Sequence, residues 1–143
     1  MIRSFTIIFF IFCLDLLTKI WRLQLPPSIY PWPGVLEFTQ HTNYGLIANI
    51  PVPQILILLI TIGLTCILIF TLYKHIKKNS PGIVALSCIV GGALGNIFDR
   101  ISHGYVFDWI LIFHTSIINI ADIAILIGIF LYLTRFLKYR SGI

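Results

Sequence analysis

Ile55-Leu56-Ile57-Leu58-Leu59-Ile60-Thr61-Ile62-Gly63-Leu64-Thr65-Cys66-Ile67-Leu68-Ile69-Phe70-Thr71-Leu72-Tyr73 contains no charged residue. A helix of that length rises about 28 Å, close to the hydrocarbon thickness of a bilayer. Pro51 and Pro53 precede the run, and Lys74, Lys77 and Lys78 close it. It reads as a membrane span, and the rest of the chain agrees. The protein has 143 residues, 58% hydrophobic and only 10% charged, whereas soluble domains carry roughly a quarter charged residues. That balance excludes a water-soluble globule, a disordered chain and a coiled coil, which needs charged flanking positions.

Three further apolar runs lie outward from this one. The spans are expected at about 4–21, 55–73, 83–101 and 118–137. The third opens after Ser80-Pro81-Gly82, a helix-start pattern, and Lys138 and Arg140 follow the fourth. The first is expected to be a retained span rather than a cleaved signal. Phe12 stands before Cys13 where cleavage needs a small residue, and Asp15, Lys19 and Arg22 follow. The expected fold is an all-α membrane protein: a four-transmembrane-helix bundle, one domain over 1–143 with no internal repeat.

Net charge +5 could suggest nucleic acid, but the basic residues form no single patch. Seven of the ten lie at Arg3, Lys74, Lys77, Lys78, Arg135, Lys138 and Arg140; the other three are Lys19, Arg22 and Arg100. The asymmetry places both termini in the cytoplasm and the 23–54 and 102–117 connections on the opposite face. The first of these is long and proline-rich, then turns to Val35-Leu36-Glu37-Phe38-Thr39-Gln40-His41-Thr42. It is expected to form a small β element, about 30–50, on the outer membrane surface. Tyr30 and Trp32 suit headgroup level, and Glu37 is expected in solvent. The three cysteines have no disulfide or metal spacing, and the four histidines show no ligand pattern. Neither metal nor cofactor is expected.

The acids carry the chemistry. There are five: Asp15, Glu37, Asp99, Asp108 and Asp122. An Asp at the centre of a membrane helix costs roughly 2.5–3.5 kcal/mol, so those inside apolar runs are functional candidates. Gly91 and Gly95 form a small-xxx-small face for helix packing. Asn96, Asp99 and Arg100 follow on one side of the same span and are expected to form a structural network, with Asp99 and Arg100 as a possible pair. Asp108 stands between Phe107 and Trp109, and Asp122 is expected about one turn inside the fourth span, with Asn119 on its side. Two carboxyls sharing a site cannot both ionise: one keeps a proton while the other acts as base. That is the machinery of aspartic peptide hydrolysis. The alternatives are a small proton-coupled transport or assembly protein, or a non-catalytic relative of such peptidases.

The motifs resemble the lipoprotein signal peptidases, or signal peptidase II, over nearly the whole chain. Asp15-Leu16-Leu17-Thr18-Lys19 resembles the Asp-x-x-x-Lys element of that family's first helix. Gly91-Gly92-Ala93-Leu94-Gly95-Asn96-Ile97-Phe98-Asp99-Arg100, continuing to Gly104-Tyr105-Val106-Phe107-Asp108, resembles its GGAxGNxxDR…GxVxD block, and Asn119-Ile120-Ala121-Asp122 its NxAD block. The resemblance implies that Asp108 and Asp122 are catalytic. It implies that Asn43, Asn96, Arg100 and Asn119 surround the site, with Asp99 in the same block and Asp15 and Lys19 supporting it from the first helix. The implied substrate is a prolipoprotein bearing diacylglyceryl on a Cys, cut on the N-terminal side of that Cys. The implied location is the bacterial inner membrane, among membrane lipids. A monomer is expected, because one chain holds both aspartates. Two departures concern substrate preference: Leu46-Ile47-Ala48 after Asn43-Tyr44-Gly45, and a short stretch between Asp108 and Asn119 with Ile118 where Phe is common.

Overall fold

The computed structural model describes residues 1–45 and 53–140, with side chains to Leu137; the departure at Leu46-Ile47-Ala48 lies outside the described residues. Four long helices are present: α1 (Ile2–Leu23), α2 (Gln54–Lys77), α3 (Ile83–His103) and α4 (Ile120–Arg140). Each is long and apolar enough to cross a membrane. The helices cover the expected segments and extend a few residues beyond them at most ends. The exception is the start of the fourth: residues 116–118 are a strand, and the helix begins two residues later than expected.

The helices gather around α3. Glycine makes this possible at two points. A Cβ on Gly92 would collide with the carbonyl oxygen of Ala121 in α4. One on Gly95 would stand 2.6 Å from Asp15 Oδ2 of α1 and 3.4 Å from the Ala121 methyl. α3 therefore meets α4 almost backbone to backbone and leaves room beside it for the Asp15 carboxyl of α1. At the far end of the bundle Leu72, Leu86 and Val90 form a small apolar core with Ile8 and Tyr132 against it. Gly104, in the left-handed region at φ 79°, ends α3, its N–H returning to the Arg100 carbonyl.

The connections at the other end build one antiparallel sheet, ordered β1 (Ile29–Trp32), β2 (Leu36–Asn43), β3 (Val106–Ile112) and β4 (Ser116–Ile118). The β element expected in the first connection is present, but it is half of the sheet. The third connection supplies the other half, and β2 pairs with β3 from Leu36↔Ile112 to Asn43↔Val106. Phe107, Trp109 and Ile110 of β3 are buried with Leu36, Phe38, Ile118 and Ile123 around them. Trp109 also meets Trp21 of α1 edge-on, with ring centroids 6.1 Å apart.

Two expectations about charge are corrected here. Glu37 is not in solvent: it is 8% exposed, accepts the Gly34 N–H at 3.1 Å and lies 3.3 Å from His114 Nε2. It ties the β1–β2 turn to the β3–β4 turn, where Phe113 and His114 both have positive φ. Arg22 is not a surface orientation charge either. It is fully buried, and its guanidinium donates to the carbonyls of Pro26 (2.9 Å), Pro27 (2.7 Å) and Phe38 (2.9 Å). The residue pins the sheet to the end of α1.

Candidate active site

Asp108 arises from strand geometry. β3 is covered on both faces, and alternation puts Val106, Asp108 and Ile110 on one of them. Asn43 is paired with Val106 on the neighbouring strand, so it stands diagonal to Asp108 on the same face. Its Nδ2 donates to Asp108 Oδ2 at 2.9 Å. Asn119 Nδ2 donates to the other oxygen at 2.7 Å. Asp108 is 1% exposed. Burial pushes its carboxyl up to about 6; the Asn43 bond opposes this, the nearby Asp122 adds to it, and Asn119 and Lys19 oppose it.

Asp122 arises from helix-start geometry. It is not one turn inside the span, as expected, but in the first turn of α4. The Asn119 carbonyl accepts the first helical bond, from Ile123 N, which makes Asn119 the N-cap. Asn119 Oδ1 accepts from Asp122 N at 2.8 Å, and Asp122 Oδ2 accepts from Asn119 N at 3.3 Å. This reciprocal pair is a capping box. The spacing of Asn119 and Asp122 signalled it in the sequence, where it was read only as two polar groups on one side.

Asn96 of α3 closes the circuit. Its Nδ2 donates to Asp122 Oδ1 at 2.8 Å, and its Oδ1 accepts from Asn119 Nδ2 at 3.0 Å. The chain Asp108–Asn119–Asn96–Asp122 thus joins the two acids through two side-chain amides. Every hydrogen bond donated by these side-chain amides goes to a carboxyl or to the next amide, so the acids are held without cations in direct contact.

A buried ion cluster holds the backbone beside each acid. Lys19 Nζ lies 2.6 Å from Asp15 Oδ2 and 2.8 Å from Asp99 Oδ2, all three groups buried. Asp99 Oδ2 accepts the N–H of Phe107 at 3.0 Å, one residue before Asp108. Asp15 Oδ1 accepts the N–H of Ala121 at 3.0 Å, one residue before Asp122. One ammonium and two carboxylates therefore fix both segments that carry the pair. The pairing of Asp99 with Arg100 expected from their adjacency is absent, because successive helical residues diverge by 100°. Asp99 faces α1; Arg100 reaches the carbonyls of Asn96 (3.3 Å) and Gly45 (3.4 Å). Arg100 interacts electrostatically with Asp108 and Asp122, and its buried Nε has no hydrogen-bond partner among the described residues.

The structure thus brings Asn43, Asn96, Asp108, Asn119 and Asp122 into one hydrogen-bonded group, with Asp15, Lys19 and Asp99 behind it and Arg100 beside it. Among the described residues no group of three or more His, Cys, Asp or Glu could hold a metal ion.

Comparison with known proteins points in one direction. The family profile described as Signal peptidase (SPase) II matches residues 7–138. A lipoprotein signal peptidase of Wigglesworthia glossinidia brevipalpis is 37% identical, with 88% of this chain and 88% of its own length covered. One from Clostridium tetani is 34% identical, covering 87% and 86%. Among solved structures, a bacterial membrane enzyme determined by the in meso method superposes with a TM-score of 0.83 at 29% identity, covering 98% of this chain and 90% of that one.

Proposed function

We propose that this chain, which belongs to the signal peptidase II family of membrane proteases, cleaves lipoprotein signal peptides by an aspartic mechanism. The observation that carries the reading is the hydrogen-bonded chain from Asp108 through Asn119 and Asn96 to Asp122. It supports a pair of carboxyls that share one proton.

Asp108 is the partner that holds the proton, because burial raises its carboxyl to about 6. Asp122 is the base, at a helix start where the peptide dipoles favour negative charge. In the forward step Asp122 takes a proton from a water molecule, whose oxygen bonds to the scissile carbonyl carbon. Asp108 gives its proton to the carbonyl oxygen, leaving a neutral gem-diol. Collapse breaks the C–N bond. The proton held by Asp122 passes to the departing amine of the lipid-modified Cys, and a diol hydroxyl returns its proton to Asp108. The half-buried guanidinium of Arg100, whose Nε is without a partner among the described residues, suits a peptide carbonyl, and Asn43 positions Asp108 from the sheet.

The finer features of the substrate belong to the same proposal. The Cys carries diacylglyceryl, with its chains between the helices and the peptide lying along the sheet. Residues 1–143 act as one peptidase domain and as a monomer in the bacterial inner membrane. The basic ends of the helices face the cytoplasm, and the Asp pair faces outward. Purified protein with a diacylglyceryl-modified precursor tests the reading by a mobility shift. Asp108→Asn and Asp122→Asn should each abolish the shift while leaving a folded protein; full cleavage by either variant refutes the assignment.

A further inference from the structure

The bundle end opposite the Asp pair holds a cavity with polar groups in its wall. It has a volume of about 300 Å³ and is lined by His75, Ser80, Gly82, Tyr132 and Arg135 among others. It sits where the end of α2, the 78–82 turn and the last turns of α4 meet. None of the five Asp and Glu side chains of the protein belongs to these elements. Among the described residues, no Asp or Glu side chain pairs with the cationic groups here.

The cavity is built rather than incidental. Arg135 donates through Nη1 to the Pro81 carbonyl at the rim, and its other donors meet no carboxylate among the described residues. His75 Nδ1 lies 3.0 Å from the Thr71 carbonyl. That carbonyl can only accept, so Nδ1 carries a hydrogen and Nε2 is the nitrogen left for the cavity. The ring packs 6.0 Å from that of Tyr132. Gly82 keeps the space open: a Cβ there would lie 2.8 Å from His75 Cδ2 and 3.3 Å from Tyr132 Cε2. The neighbouring lysines do not share this arrangement. Lys74 and Lys77 fold back over the rings of Phe70 and Tyr73, at 4.4 and 4.8 Å.

We infer that this cavity binds the phosphate of an anionic phospholipid headgroup from the adjoining leaflet. Arg135 supplies the charge and, with the Ser80 hydroxyl, the hydrogen-bond donors; His75 Nε2 offers an acceptor to a headgroup hydroxyl, and the apolar surfaces of α2 and α4 below it receive the acyl chains. A lipid is the fitting source because the site opens at the level where the apolar helices end and the basic cluster begins, and an anionic leaflet surface attracts such a cluster.

The test uses the intact protein in phosphatidylcholine nanodiscs with and without phosphatidylglycerol, reading retained lipid by native mass spectrometry and the thermal midpoint. Phosphatidylglycerol should be retained at least about fivefold over phosphatidylcholine and should raise the midpoint. Arg135→Gln combined with His75→Gln should remove most of that preference, and Gly82→Ala should reduce it by narrowing the cavity. The midpoint of each variant in phosphatidylcholine alone reports whether it folds. Lys74→Gln, Lys77→Gln and Lys78→Gln together should weaken only the part of the preference that high salt removes. Equal loss in the triple-lysine variant means a diffuse basic surface and overturns the inference. So does an unchanged preference in the Arg135/His75 variant. Inorganic phosphate reproducing the whole midpoint rise without lipid would overturn the headgroup assignment.

Discussion

α2 and α3 are neighbours of similar length, yet they divide the work of a membrane helix in opposite ways. α2 is the most apolar of the four, and only 17% of its most apolar stretch is buried in the protein; for α3 the share is 56%. In water the greasier helix would be the hidden one. In a bilayer the lipid already satisfies apolar side chains, so there is no hydrophobic drive to bury them. What α3 hides, besides aliphatic side chains such as Leu86 and Val90, is backbone at its glycines and polar groups at Ser87 and Asp99, with Asn96 half-buried. Polarity therefore marks the interior here, and the chemistry lies where α3 meets α1, α4 and β3.

The contrast can be broken most sharply at the acids. Asp108→Asn or Asp122→Asn should lower cleavage by at least about 10³-fold with little change in thermal midpoint. Comparable loss from Leu64→Ala on α2 would break it. Next in size is Lys19→Met, which leaves the carboxylates of Asp15 and Asp99 buried without their cation. A loss of about 3–5 kcal/mol in unfolding free energy is expected, measured by denaturant titration in mixed micelles. Gly92→Ala should follow at about 1–3 kcal/mol, because the added methyl overpacks a backbone contact. Stability equal to the wild type would mean that α3 and α4 can separate freely.

A subtler probe uses pH. The proposed acid, Asp108, has its carboxyl raised from the ordinary value of 3.8 to about 6. Below that it keeps its proton and above it the proton is lost, so kcat/KM should fall toward alkaline pH. Asn43 favours the charged form through its donated bond. Asn43→Ala should therefore move the alkaline limb to higher pH. A limb that stays put, or moves to lower pH, removes Asp108 from the role of acid. Smallest of all should be the effect of Leu64→Ala, an exposed side chain on the lipid-facing helix, at within about 0.5 kcal/mol.

The sequence was legible to different depths in these regions. The charge-free run of α2 and the glycines of α3 declared themselves, as did the two acids, because each breaks an expectation that lipid imposes. β3 did not. Its stretch Val106-Phe107-Asp108-Trp109-Ile110 is covered on both faces, so it lacks the alternation that marks a half-exposed strand. Arg22 was misread for a different reason: its partners are backbone carbonyls, which leave no trace in residue types. Glu37 depends on His114 across the sheet, a contact that exists only once β2 has paired with β3. The pairing of Asp99 with Lys19 rather than Arg100 likewise belongs to tertiary structure. The cap formed by Asn119 and Asp122 was available from spacing alone.

The Asp15–Lys19 contact bears on how the protein is made. These residues are four apart on α1, so their ion pair can close within a single isolated helix. The first span emerges from the ribosome long before α3 exists to offer Asp99. It can enter the bilayer as a self-neutralised segment, carrying an ammonium and a carboxylate that cancel. When α3 arrives, Lys19 keeps its first partner and gains a second. The ion pair is thus a passport for insertion that later becomes a joint of the assembled bundle.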